Sequence, residues 1–351
     1  METSHNIYIK NSSNMVDTES ESVDLLITSP PYPMIEMWDE LFSSMNEDIK
    51  LGLEEGNSKL AFNLMHEELN KIWLESVRVM KQGGVVCINI GDATRTINKN
   101  FQLFPNHVLI TDFFQKNGFI VLPSILWRKP TNSPTKFMGS GMLPPNAYVT
   151  LEHEYLLIFR KGEKKRKIPP KSEFRYNSAY FWEERNKWFS DMWVDVKGKK
   201  QKLGNNGKLR ERSAAYPLEL PYRLINMFSM YGDIVLDPFW GTGTTSIAAM
   251  ILARNSIGYE INSEFLELFN KSLRNVKELT ETINIERFEK HIGFIKRYMK
   301  EKKEPIYTAT NYGFPVITGQ EVEIKFYKID KIIEKDKNYI VFYNKFEREI
   351  S

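Results

Sequence analysis

At 351 residues and 42% hydrophobic content, the chain can fill the core of one large α/β domain or two smaller ones, and its formal net charge of +3 excludes no partner by itself. One cysteine and five scattered histidines exclude a disulfide framework, a cysteine metal cluster and an HExxH site. No apolar run reaches membrane-spanning length and METSHNIYIKNSS lacks a signal-peptide pattern, so the expectation is a cytoplasmic protein with no metal and no membrane partner.

In chain order, HNIYIK reads as a short first strand and SVDLLITS as a second, joined by the polar turn NSSNMVDTESE. Residues 44–66 open polar and glycine-punctuated, and read as an insertion or mobile loop. In HEELNKIWLESVRVMK the apolar residues Leu69, Ile72, Trp73, Val77 and Met80 fall at helical spacing, and Gly83-Gly84 is expected to stop that helix. VVCINIGD is a buried strand, FPNHVLITDFFQKNGF a helix closed by Gly118, and FIVLPSILWRK and HEYLLIFRKG two more strands. A second α/β run begins near Tyr216: YPLELPYRLINMFS is a helix, and DIVLDPFWGTGTTSIAAMILARNSIGYEIN reads strand, glycine loop, helix, strand. INIERFEKHIGFIKRYMKEKK is helical and basic, and EVEIKFYKIDKIIEKDKNYIVFYNKF alternates as a hairpin turned at Lys335 to Asn338. Strands alternating with helices predict a mostly parallel sheet with helices on both faces.

The glycine loop narrows the ligand. In IVLDPFWGTGTTS a buried strand ends at Asp237, and a helix starts at about Thr244. Gly241 and Gly243 let the backbone approach a ligand closely. A P-loop needs a Gly-Lys-Ser/Thr run that is missing, and a dinucleotide fingerprint needs a third glycine where Ser246 stands. S-adenosyl-L-methionine carries no phosphate and requires neither. Glu260, 19 positions past Gly241, ends the next strand, where a carboxylate can accept from ribose hydroxyls.

At the end of the second strand stands Thr28-Ser29-Pro30-Pro31-Tyr32. Ligands of open α/β sheets bind beyond the carboxyl ends of the strands, so this stretch and the glycine loop are expected to face each other. The Ser29 hydroxyl and the rigid Pro30 carbonyl can each accept a hydrogen bond from an exocyclic amine of a nucleobase. That draws the nitrogen towards a tetrahedral shape and frees its lone pair. Tyr32 offers a face for a base that has flipped out of the duplex. Cys87 lies in the buried VVCINI with no Pro-Cys pair, a core residue and not the nucleophile that attack at cytosine C5 requires.

TSPPY, DPFWGTGTT and GYEIN, in that order, resemble the motifs of site-specific DNA amino-methyltransferases of the beta group. RSAAYPLELPYRLI is similar to the group's cofactor-proximal helix motif, and LEHEYLLIFRKG to its late core strand. The resemblance covers most of Ile7 to Asn275. It implies a Rossmann-like, S-adenosylmethionine-dependent methyltransferase fold, with a seven-stranded, mostly parallel sheet and one reversed strand. It implies Phe239, Gly241 and Gly243 on the methionine end of the cofactor, Glu260 on the ribose, Asp237 positioning the loop or the amino group, and Ser12 or Ser13 reaching the carboxylate. Serine in the first motif position implies cytosine N4 as the target, with adenine N6 as the alternative. An RNA or protein methyltransferase, or a non-catalytic nucleic-acid-binding module, is a further alternative.

From Arg160 to Arg212 there are 17 Lys or Arg against 7 Asp or Glu, with eight aromatics between Phe174 and Trp193. The family carries its target-recognition segment between the same two motifs, so double-stranded DNA is the expected partner. Arg175, Lys197, Lys199, Lys200 and Lys202 are the candidate contacts. The expected organisation is 1–160 as the catalytic half of the core, 161–212 as the recognition segment, 213–280 as the cofactor half, and 281–351 as a small α+β accessory region. A cognate restriction endonuclease is a plausible companion, and monomer and homodimer both stay open.

Overall fold

The structure, a computed structural model, describes residues 1–129, 139–197, 216–301 and 305–347. A ten-stranded sheet runs through its centre. From edge to edge the strands, numbered along the chain, are β13 (Tyr327–Lys335), β14 (Asn338–Lys345), β1 (Glu2–Ile9), β10 (Asn255–Glu260), β9 (Ile234–Asp237), β2 (Val23–Thr28), β3 (Met80–Ile90), β7 (His153–Lys161), β6 (Phe119–Arg128) and β8 (Met192–Trp193). Two ribbons stand apart, β4 (Ala93–Ile97) with β5 (Asn100–Phe104), and β11 (Tyr307–Thr308) with β12 (Pro315–Val316).

Ten strands replace the seven expected. Between β1 and β6 only β7 runs against its neighbours. The extra strands lie outside that run: β8 pairs with β6, and the β13–β14 hairpin pairs with β1. The hairpin joins because its alternation buries Tyr339, Val341 and Tyr343 in the same core as Ile7. Its two-residue turn, Asp336-Lys337, takes positive φ at both positions, as a tight antiparallel hairpin requires.

Burial on both faces explains the apolar run Leu25-Leu26-Ile27 of β2. Leu25 and Ile27 point into one core, with the helices Glu219–Phe228 and Thr244–Ile251. Leu26 points into the other, with the helices Ser58–Val79 and Asn106–Lys116. Cys87 is fully buried in β3, and desolvation pushes its thiol far above the usual range, which suits a core residue. Among the described residues no helix is long and apolar enough to cross a membrane.

Three expectations change. Residues 44–66 are no loop but the end of helix Asp39–Met45, the helix Glu47–Glu54 and the start of Ser58–Val79. Asn46 and Asn57 cap the latter two, accepting from the backbone N–H of Asp48 and Leu60, and Phe42, Ile49 and Met65 are fully buried. Helix Ser58–Val79 ends before Gly83-Gly84, because those glycines sit inside β3 where the pairing with β2 shifts register. Gly83 has φ +77°, and a Cβ there would lie 2.5 Å from the Arg166 nitrogen. Finally, residue 281 falls inside the continuous helix Val276–Glu301, so the C-terminal region grows out of the core without a break.

The aromatic segment before Trp193 docks onto that C-terminal region. Glu184 accepts from Arg287 at 2.6 Å, Glu183 meets His291 at 2.8 Å, and the Phe181 ring stacks on His291. Phe181 is completely buried with Phe288, Phe314 and Phe326 in a third apolar cluster.

Candidate active site

The carboxyl ends of β2, β9 and β10 open into one cavity of about 450 Å³. Ser12, Ser29, Pro30, Asp237, Phe239, Gly241, Thr244 and Glu260 all line it, so TSPPY and the glycine loop do face each other. Gly243 and Tyr32 stand one layer behind. Gly243 turns the chain into the helix at φ +76°, packed so tightly that a Cβ would lie 2.4 Å from the Phe269 ring and 2.6 Å from that of Trp240.

The loop is wired from below. Asp237 is 2% exposed and accepts from the Thr28 hydroxyl at 2.6 Å, the Thr245 hydroxyl at 2.5 Å, the Phe239 N–H at 3.1 Å and the Tyr216 hydroxyl at 3.1 Å. Burial raises its pKa against the pull of those donors. Its oxygens are filled by the protein, so it holds the loop. Ser246, at the missing third glycine, receives the Trp240 indole N–H at 2.8 Å, and the indole fills the space that Gly258 leaves open. Phe239 is backed edge-on by Trp73 at 5.6 Å.

Glu260 accepts the Gly241 N–H at 2.8 Å on one oxygen and the Asn262 N–H at 2.9 Å on the other. Burial raises its pKa, opposed by those backbone donors. The Ile261 N–H also acts on this carboxylate, which lines the cavity and, with about four acceptor sites, keeps capacity for a ligand hydroxyl. Another part of the wall comes from residues 37–45, including Met37, Trp38, Leu41 and Met45, and is pinned by Arg95 to Asp39 at 2.7 and 2.9 Å.

On the TSPPY side lies a buried polar network. The Ser29 hydroxyl is 3.1 Å from the Tyr32 hydroxyl, which donates to Glu154 Oε2 at 2.9 Å. Asn89 Nδ2 donates to Tyr32 at 2.8 Å and to Glu154 Oε2 at 2.7 Å, while Lys129 Nζ pairs with Glu154 Oε1. Desolvation, reinforced by the Glu154 charge, holds the Tyr32 phenol well above its usual pKa, so it stays a donor. Asn89 Oδ1 is buried without a partner.

Sequence reading missed Asn89, Glu154, Lys129, Thr28, Tyr216 and Thr245. Glu154 did leave a signal, a carboxylate inside the apolar run of β7, where an acid is rarely buried without a task.

The candidate DNA contacts divide. Lys197 is exposed and follows β8, whose chain is tied to the end of β6 by the Trp127 indole N–H to the Val196 carbonyl at 2.9 Å. Arg175 sits elsewhere. It lines a cavity of about 750 Å³ floored by Asp24, Gly83 and Asp233, at the beginnings of the parallel strands. The cause is β7: because it is reversed, the segment that follows it starts at the far end of the sheet. Lys199, Lys200 and Lys202 lie outside the described residues.

Comparison with known proteins gives a consistent picture. Residues 23–271 match a family model described as DNA methylase, for N6 and N4 methyltransferases. The chain is 54% identical over 329 residues to the Type II methyltransferase M.MthZI of Methanothermobacter thermautotrophicus, covering 93% of this chain and 91% of that protein. It is 52% identical over 282 residues to M.MjaI of Methanocaldococcus jannaschii, covering 77% and 91%. Among solved structures it resembles TTHA0409 of Thermus thermophilus in complex with S-adenosyl-L-methionine, at a TM-score of 0.61 and 28% identity over 78% of this chain and 94% of that one. The PvuII DNA methyltransferase shares the fold, at a TM-score of 0.51 and 17% identity over 76% and 86% of the two chains.

Proposed function

The chain belongs to the N6/N4 family of DNA methylases, and from that premise we propose that it methylates the N4 amine of cytosine at a specific duplex sequence, after flipping the base out. The cofactor of this S-adenosylmethionine-dependent DNA methyltransferase is S-adenosyl-L-methionine, which supplies an electrophilic methyl group when bound. The residues present fit it. Glu260 faces the cavity with acceptor capacity left for a ribose hydroxyl, Gly241 offers backbone without a side chain, Phe239 gives an apolar wall, and Ser12 and Thr244 add hydroxyls along the same cavity.

The observation that carries the choice of an amine substrate is the pairing of Ser29 and Pro30 on that cavity with a buried donor network behind them. The Ser29 hydroxyl and the Pro30 carbonyl accept from the two N–H groups of the amine, which localises the nitrogen lone pair. Tyr32, held by Glu154 and Asn89, keeps Ser29 oriented. The rings around the cavity exclude water from the reacting pair. Ser29 in place of an acid supports cytosine over adenine. The Type II names of the relatives support a place beside a cognate restriction endonuclease.

The test is to incubate the protein with mixed-sequence duplex and S-adenosyl-L-methionine, digest to nucleosides and identify the product by mass spectrometry. N4-methylcytosine is expected; N6-methyladenine would overturn the choice of base. Sequencing the modified DNA would give the recognition site.

A further inference from the structure

The backbone ladder that joins β2 to β9 stops short of the cavity. Its pairs are Leu25 with Val235 and Leu26 with Leu236, and it ends two residues before Thr28. On their outer sides both strands stay paired further: β2 with β3 through Thr28 and Ile88, and β9 with β10 through Asp237 and Gly258. The crevice therefore opens between the strand that leads to Ser29 and the strand that leads to the glycine loop, each fastened to its outer neighbour. A group passed from one side to the other has to cross it.

One side-chain bond spans the gap at its floor. The Thr28 hydroxyl donates to Asp237 Oδ1 at 2.6 Å, the length of a charge-assisted bond. The same oxygen takes the Phe239 N–H at 3.1 Å, so one atom holds both the residue before Ser29 and a residue that walls the cofactor side of the cavity. Oδ2 is fixed by the hydroxyls of Thr245 at 2.5 Å and Tyr216 at 3.1 Å, which keeps the carboxylate from turning away. The other side-chain hydrogen bonds of residues 28–32 stay within that stretch or run to Asn89 and Glu154 on β3 and β7, away from the loop. Thr28 is fully buried and does not line the cavity, so whatever it does for a bound ligand it does through Asp237.

We propose that Thr28 is a positioning residue for methyl transfer: through Asp237 it sets the distance between the amine held at Ser29 and Pro30 and the methyl group presented by the glycine loop. This rests on the amine-methylation reading above. In the transfer the amine nitrogen gains the methyl carbon, the sulfonium sulfur keeps the bonding pair and becomes a thioether, and the amine gives a proton to solvent. Nitrogen, carbon and sulfur have to lie in line, with the reacting atoms about 3–3.5 Å apart, and an error of about 1 Å costs up to a hundredfold in rate. Without the Thr28 hydroxyl the two strand ends are free to part while each half of the site keeps its own contacts.

The experiment measures single-turnover methylation of a duplex carrying the modified site, at saturating duplex and S-adenosyl-L-methionine, for wild type, Thr28→Val, Thr28→Cys and Thr28→Ser, with cofactor Kd and Tm read on the same samples. Valine keeps the shape and removes the donor, so the rate should fall at least about tenfold while Kd stays within about twofold. Serine restores the hydroxyl and should recover most of the rate, and cysteine, a weak donor of similar size, should fall between. A purely structural role predicts the reverse order, because valine conserves the buried volume and serine does not. If valine melts below the assay temperature, serine and cysteine carry the same comparison. A wild-type rate in Thr28→Val, a loss that serine shares, or a Kd that weakens in step with the rate would overturn the role of Thr28. The nucleoside product of the wild type reads the premise: a methyl group on carbon overturns the amine reading and this one with it, whereas a methylated amine made at equal rates by all four proteins overturns only the positioning.

Discussion

Glu154 is the acid on which the catalytic side of the site hangs, and removing it has a graded outcome. Oε2 accepts from Tyr32 at 2.9 Å and from Asn89 at 2.7 Å, while Oε1 holds Lys129. The residue is 8% exposed, so its donors have little water to turn to. Hydrogen bonds to a charged acceptor contribute about 1.5–3 kcal/mol each. Lys129 is the most exposed of the three donors and contributes least. Glu154→Ala should therefore cost about 3–5 kcal/mol of stability, as breaking a buried charged partnership does. Glu154→Gln can still present one oxygen to Tyr32 and Asn89, but both bonds lose their charge assistance and the lysine bond is lost, for about 2–3 kcal/mol in all. With Tyr32 released, Ser29 loses its orientation. Methylation by the alanine variant should fall at least about 100-fold, equivalent to about 2.7 kcal/mol in the barrier. The glutamine variant should stay within about tenfold, and both should bind S-adenosyl-L-methionine as wild type does. Thermal melts, calorimetric titration of the cofactor and single-turnover methylation together read all three quantities. Wild-type turnover and melting in Glu154→Ala would refute the account of Tyr32 as a held residue. Equal damage from glutamine would show that charge, not hydrogen-bond geometry, is what Glu154 supplies.

Two further outcomes follow from the same structure. Gly243→Ala must bring a Cβ to 2.4 Å from Phe269 at φ +76°, so the loop has to shift and the cofactor Kd should weaken by about tenfold, roughly 1.4 kcal/mol; Gly232→Ala, also at positive φ but facing open space, is the control that should leave Kd unchanged. His66 is buried, and desolvation lowers its pKa to about 4 from the ordinary 6.5. The unfolded chain therefore binds a proton below pH 6.5 that the folded one refuses, and stability present above that pH is lost as pH falls towards 4, by about 3 kcal/mol. Urea melts at pH 7 and pH 4.5 should show the drop, and His66→Leu should shrink it; an unchanged slope in the variant would remove His66 as its source.

Much of the fold was legible in the sequence because its signals are local. Strand, glycine loop, helix and strand from Ile234 to Glu260 follow one another within 27 residues, and each is marked by its own apolar period or glycine. The hairpin turn at Asp336-Lys337 was legible for the same reason. Residues 44–66 were not, because two asparagine caps and a glycine at Gly52 look like loop chemistry until Ile49 and Phe62 are seen buried. The network around Ser29 was hidden by distance: Asn89 and Glu154 meet Tyr32, and Lys129 meets Glu154, only after the four strands β2, β3, β7 and β6 have been laid side by side. Arg175 illustrates the converse. Charge density put it among the DNA contacts, but composition carries no information about which end of a sheet a segment visits, and the reversal of β7 decides that.

The sheet order has a consequence for the growing chain. β1 is made first, yet its partners are β10, near residue 255, and β14, near residue 340. At roughly 5–20 residues per second, about 12–50 s separate the synthesis of β1 from that of β10. Meanwhile β2, β3, β6 and β7 can pair among themselves, but β9, which lies between β2 and β10, is also missing. The first strand therefore waits as an unpaired edge outside a half-built sheet, and is open to wrong partners for most of translation. Ser4, His5 and Asn6 in its middle are polar for a core strand, and that polarity makes the waiting segment a poor template for another chain.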